Sequence, residues 1–283
     1  MHSPPFMKTL ILLASILLLT PSSKGAGADI QFASEVESIQ PGVPFTMGLH
    51  VVPDKNYHTY WQYPGIVGLP TSVKWQLPAG FRASEISWPV PEIVDMAGHP
   101  AHGFRRQLLL LVVITPPENI PVPTVQITGE LAWMACHKEC HPGFATRSIT
   151  LPVNHTGKPR YHPKWAAPIK AEREALPGEC SLWEVSVESD PDQSPVVIRI
   201  RPTGGASKNP GQIYFFSEDG QVTSEPAQEI TREEDGSYLI VGTRSDFSPK
   251  GKGTLPGTLV ASKGWAAENS LRAFRVSPPY PAE

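Results

Sequence analysis

The chain has 283 residues, of which 32 are proline, and carries 24 basic against 27 acidic side chains. This balance excludes nucleic acid as a partner, because phosphate recognition needs a basic surface. The length allows either two ordinary domains or one large β domain.

The first 28 residues read as a secretory leader. Lys8 precedes the apolar run Thr9 to Thr20, and Ala26-Gly27-Ala28 supplies small residues for cleavage after Ala28. The run is too short to span a bilayer, and the longest later apolar stretch, Leu108 to Ile114, suits a buried strand. The leader holds Lys8 and Lys24 and no acidic residue, so the remainder carries 22 basic against 27 acidic residues, a net charge of −5. The expected product is a periplasmic or otherwise exported protein with no membrane insertion of the mature chain. In such a compartment disulfides form and persist.

Strand patterns dominate the chain beyond residue 28, which predicts an all-β fold. Gln107 to Thr115 is continuously apolar, as an interior sandwich strand would be. In Thr124 to Ala135 the residues Val125, Ile127, Leu131 and Trp133 share one face and Gln126, Thr128 and Glu130 the other. Cys136 ends this strand on the face opposite Trp133, and His141-Pro142-Gly143 predicts a turn before a strand over Phe144 to Leu151. Pro152 to Gly178 holds five prolines and a short helical pattern over Trp165 to Leu176, which predicts a linker. Strands then resume at Trp183, Val196, Gly211 to Ser217, Ser237 to Gly242 and Thr254 to Ser262, the spacing of a second β-sandwich. The expected division is a leader over 1–28, a sandwich over 29–155, a linker over 156–180 and a sandwich over 181–283.

Chemistry concentrates in the segment Trp133-Met-Ala-Cys136-His-Lys-Glu-Cys140-His-Pro-Gly143. A disulfide closing so short a loop removes only about 2 kcal/mol of unfolded-chain entropy, so reactivity explains the pair better than stability does. Exchange needs a thiolate and a resolving thiol. Both are present, and Lys138, with His137 or His141 when protonated, would favour a thiolate, while Glu139 would oppose them. Pairing of Cys136 with Cys140 leaves Cys180 alone. On the residues by themselves, a permanent hairpin disulfide in a noncatalytic binding or assembly module is an equal reading.

The words Tyr60-Trp61-Gln62-Tyr63-Pro64-Gly65, Gly68-Leu69-Pro70, Trp75 to Phe81, Trp88-Pro89-Val90-Pro91, the cysteine segment, Tyr214-Phe215-Phe216 and Arg244-Ser245-Asp246-Phe247 point further. With them the chain resembles the periplasmic N-terminal region of the thiol:disulfide interchange protein DsbD and its ScsB-type relatives. The resemblance implies two immunoglobulin-like β-sandwiches and a redox-active pair at Cys136 and Cys140. It also implies a loop over the pair, by chain order Asp95 to Phe104 with His99, His102 and Phe104, where relatives often carry an aromatic-Gly-aromatic word and this chain has His102-Gly103-Phe104. The implied partners are a thioredoxin-like periplasmic protein and, since the chain ends at Glu283, a separate membrane electron donor. No cofactor is implied.

Copper binding is a rival reading. Cys136, Cys140 and His141 offer soft and imidazole ligands, and Met96, His99, His102 and Met134 would join them if the loop folds over. Cys140-His141 resembles a haem-attachment word but has the wrong cysteine spacing. Tyr57, Tyr60, Trp61 and Tyr63 read as packing residues or a docking surface. No Ser-His-Asp order, phosphate loop or paired carboxylate suggests a hydrolase.

Overall fold

The computed structural model describes residues 27–156, 159–266 and 271–282. The leader expected over 1–28 therefore lies outside the described residues except for Gly27 and Ala28. Those two belong to the fold: Ala28 is fully buried and pairs with Pro53, and the Gly27 carbonyl accepts a bond from the Asp54 amide at 2.9 Å. A cut after Ala28 would remove them, because a cleavage pattern is local whereas strand pairing is not.

The first part of the chain forms β1 (Ala28–Ser34), β2 (Val36–Ser38), β3 (Phe45–Pro53), β4 (His58–Gly65), β5 (Ser72–Gln76), β6 (Arg82–Ala83), β7 (Glu92–Met96), β8 (His99–Phe104), β9 (Leu108–Thr115), β10 (Thr124–Cys136) and β11 (Cys140–Pro152). One sheet has the order β1-β3-β9-β6. The other runs β11-β10-β4-β8-β7, with β5 also paired to β10. Between them lie Leu49, Val51, Trp61, Leu110, Leu131 and Trp133 at one end and Met47, Phe81, Val112, Ile114 and Ile127 at the other. This is an antiparallel sandwich whose inward residues recur with period two.

β12 (Arg160–Tyr161) and α1 (Ala166–Ala175) occupy the expected linker, but they are not free of the first sandwich. β12 pairs with β2, and α1 sits on the outer face of the β3–β9 pair. Ile169, fully buried, packs there with Ala33, Leu109 and Leu111, while Leu108, Leu110, Val112 and Ile114 face the core. The unbroken apolar run of β9 thus has two dry faces to fill. Arg173 fixes the helix by donating to Thr46 Oγ1 at 2.6 Å and pairing with Glu35 at 2.8 Å.

β13 (Trp183–Val187), β14 (Val196–Pro202), β15 (Ile213–Ser217), β16 (Glu229–Arg232), β17 (Tyr238–Gly242), β18 (Gly257–Ala261) and β19 (Ala273–Val276) complete the chain. Sheets β13-β14-β17-β16 and β15-β18-β19 enclose Trp183, Ile198, Phe215, Leu259, Trp265 and Phe274. The described residues are therefore all-β apart from one helix and form two immunoglobulin-like sandwiches.

β15 joins the two. Ile213 and Phe215 point into the second core, whereas Phe216 is buried with Trp61, Phe104 and Leu131 of the first, with Tyr214 beside it. Truncating Phe216 would open a cavity in that shared cluster. Phe216→Ala is expected to destabilise the first sandwich by about 3–5 kcal/mol and to separate one cooperative urea transition into two, which circular dichroism and tryptophan fluorescence would resolve.

Candidate functional site

Two hairpins build the site. β10 and β11 pair in continuous register from Thr124 opposite Pro152 to Cys136 opposite Cys140. The chain reverses at His137-Lys138-Glu139, where the His137 amide donates to the Glu139 carbonyl at 3.1 Å. The turn expected at His141-Pro142-Gly143 is thus corrected: those residues are strand. β11 is a sheet edge, where proline removes no ladder bond. Gly143 lies opposite Trp133, whose indole stands 2.2 Å from where a Cβ would be, so no side chain fits there.

Cys136 and Cys140 are joined as a disulfide, and the two sulfurs differ in access. Cys136 is fully buried against Tyr60, Val94 and Ala101, while Cys140 is exposed. The Tyr60 hydroxyl lies 3.9 Å from Cys140 Sγ. Opposite Cys136, on β4, stands His58, which is buried and whose Nε2 has no hydrogen-bond partner. Cys180 is a free thiol, half-buried against the second core and remote from this cluster.

The second hairpin, β7–β8, roofs the pair. It turns at Ala97 (φ 54°) and Gly98 (φ 89°), and Gly98 is suited to that left-handed backbone. Met96, just before the turn, places Sδ 3.7 Å from Cys140 Sγ, and Val94 packs on Cys136. Of the segment Asp95 to Phe104 expected over the pair, Met96 and Ala101 pack at the cysteines, together with Val94 just before it. Alternation along β8 decides this. Ala101 faces the disulfide, whereas His102 and Phe104 face the opposite side of the sheet, toward Trp61 and Phe216. His99 points outward to Glu225. In the sequence Met96 reads only as a metal ligand; its place beside a two-residue hairpin turn is the signal for its role as a lid.

The residues flanking the cysteines form a small exposed group. The rings of His137 and His141 each lie 5.8 Å from that of Tyr57, and Lys138 is exposed on the turn between the cysteines. Among the described residues no three His, Cys, Asp or Glu side chains are gathered for a metal ion. His102 has a different task. Its Nδ1–H donates to the Tyr63 carbonyl at 3.1 Å, and its Nε2 lies 3.0 Å from the Tyr214 hydroxyl, which donates to it when the ring is neutral. Burial lowers its pKa to about 4, against a smaller opposing effect of the Tyr63 bond. His58 is also lowered to about 4, by burial first and then by the Arg105 charge.

The site is thus a sandwich domain with a disulfide closing one hairpin and a second hairpin laid over it. Residues 29–152 match the family model described as thiol:disulfide interchange protein DsbD, N-terminal. The N-terminal periplasmic domain of ScsB from Proteus mirabilis shares the fold at 15% identity and a TM-score of 0.63, over 93% of this chain and 97% of that one. The major pilin subunit BcpA of Bacillus cereus aligns over 90% of this chain and 64% of its own at 11% identity, with a TM-score of only 0.27. No curated protein sequence matches the chain. Among the described residues no helix is long and apolar enough to cross a membrane.

Both buried histidines bind a proton more readily in the unfolded chain, whose histidines titrate near pH 6.5. The stability they contribute is complete above that value and falls as the pH drops toward about 4. Between pH 7 and 5 each should remove about 2 kcal/mol. Urea titrations at the two pH values should show this loss, and His102→Gln should have a clearly smaller one; an equal loss in parent and variant would place its source elsewhere.

Proposed function

We propose that the chain is an exported thiol–disulfide exchange protein. In this reading Cys136–Cys140 relays electrons between a separate membrane donor and thioredoxin-like periplasmic proteins. The observation that carries this reading is the unequal access of the two sulfurs. Cys140 is open to an incoming thiolate, while Cys136 is sealed beneath Val94, Ala101 and Tyr60. A donor thiolate attacks Cys140 Sγ, the Cys136–Cys140 bond breaks, and Cys136 leaves as the thiolate and takes up a proton. The donor's second thiolate then attacks its own sulfur in the mixed disulfide, which frees Cys140 and leaves the donor oxidised and this pair reduced. Delivery to an acceptor runs the same steps in reverse: the Cys140 thiolate attacks the acceptor disulfide and Cys136 resolves the intermediate.

The surroundings support that assignment. Lys138 sets a positive charge on the turn beside the cysteines, against the neighbouring Glu139, and a cation there favours a thiolate. Phe144 is 72% exposed on β11, four residues beyond Cys140, and offers an apolar contact to a docking partner. A purely structural staple accounts for less. The hairpin register already brings Cys136 opposite Cys140, and closing so short a loop adds only about 2 kcal/mol. The family of residues 29–152 and the periplasmic origin of the ScsB structure agree with export.

Two measurements test the proposal. The reduction potential of the pair, set by redox buffers and read from alkylated mass, is expected at roughly −180 to −270 mV; a value below about −300 mV would indicate a structural disulfide. Single-cysteine variants should also divide by position. Cys136→Ser should accumulate a mixed disulfide with a thioredoxin-like protein through Cys140, whereas Cys140→Ser, left with the buried Cys136, should trap at least about tenfold less.

A further inference from the structure

We infer that the loop Gly220 to Pro226 of the second sandwich is a latch on the roofing hairpin, with Ser224 and Glu225 as positioning residues that set how readily an incoming thiolate reaches Cys140. This rests on the exchange reading and adds a task for the second sandwich.

The first sandwich has a gap in its pairing. β4 and β8 pair at Thr59 with Phe104 and at Tyr60 with Gly103, and then only at Gly65 with Ala101, so the ladder between them is interrupted along β4. β7 is the outer strand of this sheet and is paired only to β8, so its position follows that of β8. The roof over the disulfide therefore hangs from a strand whose own attachment is incomplete.

Ser224 enters at this break. It is 3% exposed; its hydroxyl donates to the Pro100 carbonyl at 2.7 Å and accepts from the Ile66 amide at 3.4 Å, bridging β8 to the end of β4. Gly65 makes the room: a Cβ there would stand 2.1 Å from Ser224 Oγ, and its φ of +96° is open to glycine. The next residue, Glu225, holds His99 Nδ1 at 2.9 Å. His99 and Pro100 open β8, and His99 is the direct cross-strand partner of Met96, the residue lying on Cys140. The latch thus grips the hairpin on the strand opposite its lid. Gly220 packs as closely on the Tyr63 ring, so both ends of the loop are seated on the first sandwich.

A latched roof hinders attack on Cys140 without altering either sulfur. Releasing it should speed reduction by a small thiol. The test is the pseudo-first-order rate at which dithiothreitol reduces the oxidised full chain, followed by quenched alkylation and mass. Ser224→Ala/Glu225→Ala, which removes both hydroxyl bonds and the Glu225–His99 bond, is expected to react about tenfold faster than the parent. Glu225→Lys, a change at an exposed position that removes the carboxylate held by His99 Nδ1, should be about threefold faster. Glu229→Ala on β16 should match the parent. Amide exchange at residues 96–101 should quicken in the double variant while that of β13 and β14 is unchanged. Rates within twofold of the parent in folded variants would overturn the latch, and if the double variant fails to fold, Glu225→Lys decides. Failure of the exchange reading has a separate signature: no transfer to or from a thioredoxin-like protein, with the dithiothreitol rates still ranking the variants.

Discussion

The disulfide end of this protein depends on one contact, that of Trp133 with Gly143. The indole occupies the space a side chain at 143 would need, so the two strands meet in one register. Slipping by a residue would put a Cβ into the ring and turn the apolar face of β10 outward. With Trp133 committed to the core, alternation sends Cys136, three residues on, to the other face, and the same register brings Cys140 opposite it. The cysteines are neighbours because a tryptophan elsewhere on the strand has only one place to go.

The same economy recurs where elements touch two environments. β9 carries one row of leucines for the sandwich core and another for α1. β15 divides its aromatics between its own core and that of the first sandwich. His102 completes this junction as a neutral ring, donating to one sandwich and accepting from the other. Because β8 carries His102 toward the junction and Ala101 toward the disulfide, the seam between the sandwiches and the disulfide lie on opposite faces of one strand.

Much of this was legible in the residues. The alternation of β10, the face on which Cys136 lies and the short helix near 165–176 follow from period and composition. Other features needed the third dimension. Tyr214-Phe215-Phe216 reads as one apolar block, since a strand with two dry faces shows no alternation to betray which residue serves which side. Pro142-Gly143 reads as a turn until the edge position of β11 and the indole over Gly143 explain both residues. The segment over the disulfide was recognisable by its order along the chain, but sequence order does not say which side of a strand a residue leaves from. Met96, His102 and Phe104 were therefore told apart only by the hairpin. The latch residues carried no signal, because a serine and a glutamate gain meaning only from the break in β4 that they face.

The seating of α1 has a consequence for where the first sandwich ends. Sequence similarity to the family stops at residue 152, yet Ile169 is as completely enclosed as any residue of the core, and its neighbours Ala33, Leu109 and Leu111 belong to β1 and β9. A fragment trimmed at the similarity boundary would uncover Ala33, Leu109 and Leu111 on the outer face of β1 and β9 and would tend to self-associate there. The evolutionary unit and the physical unit differ by about one helix, and an isolated first sandwich would have to carry that helix with it.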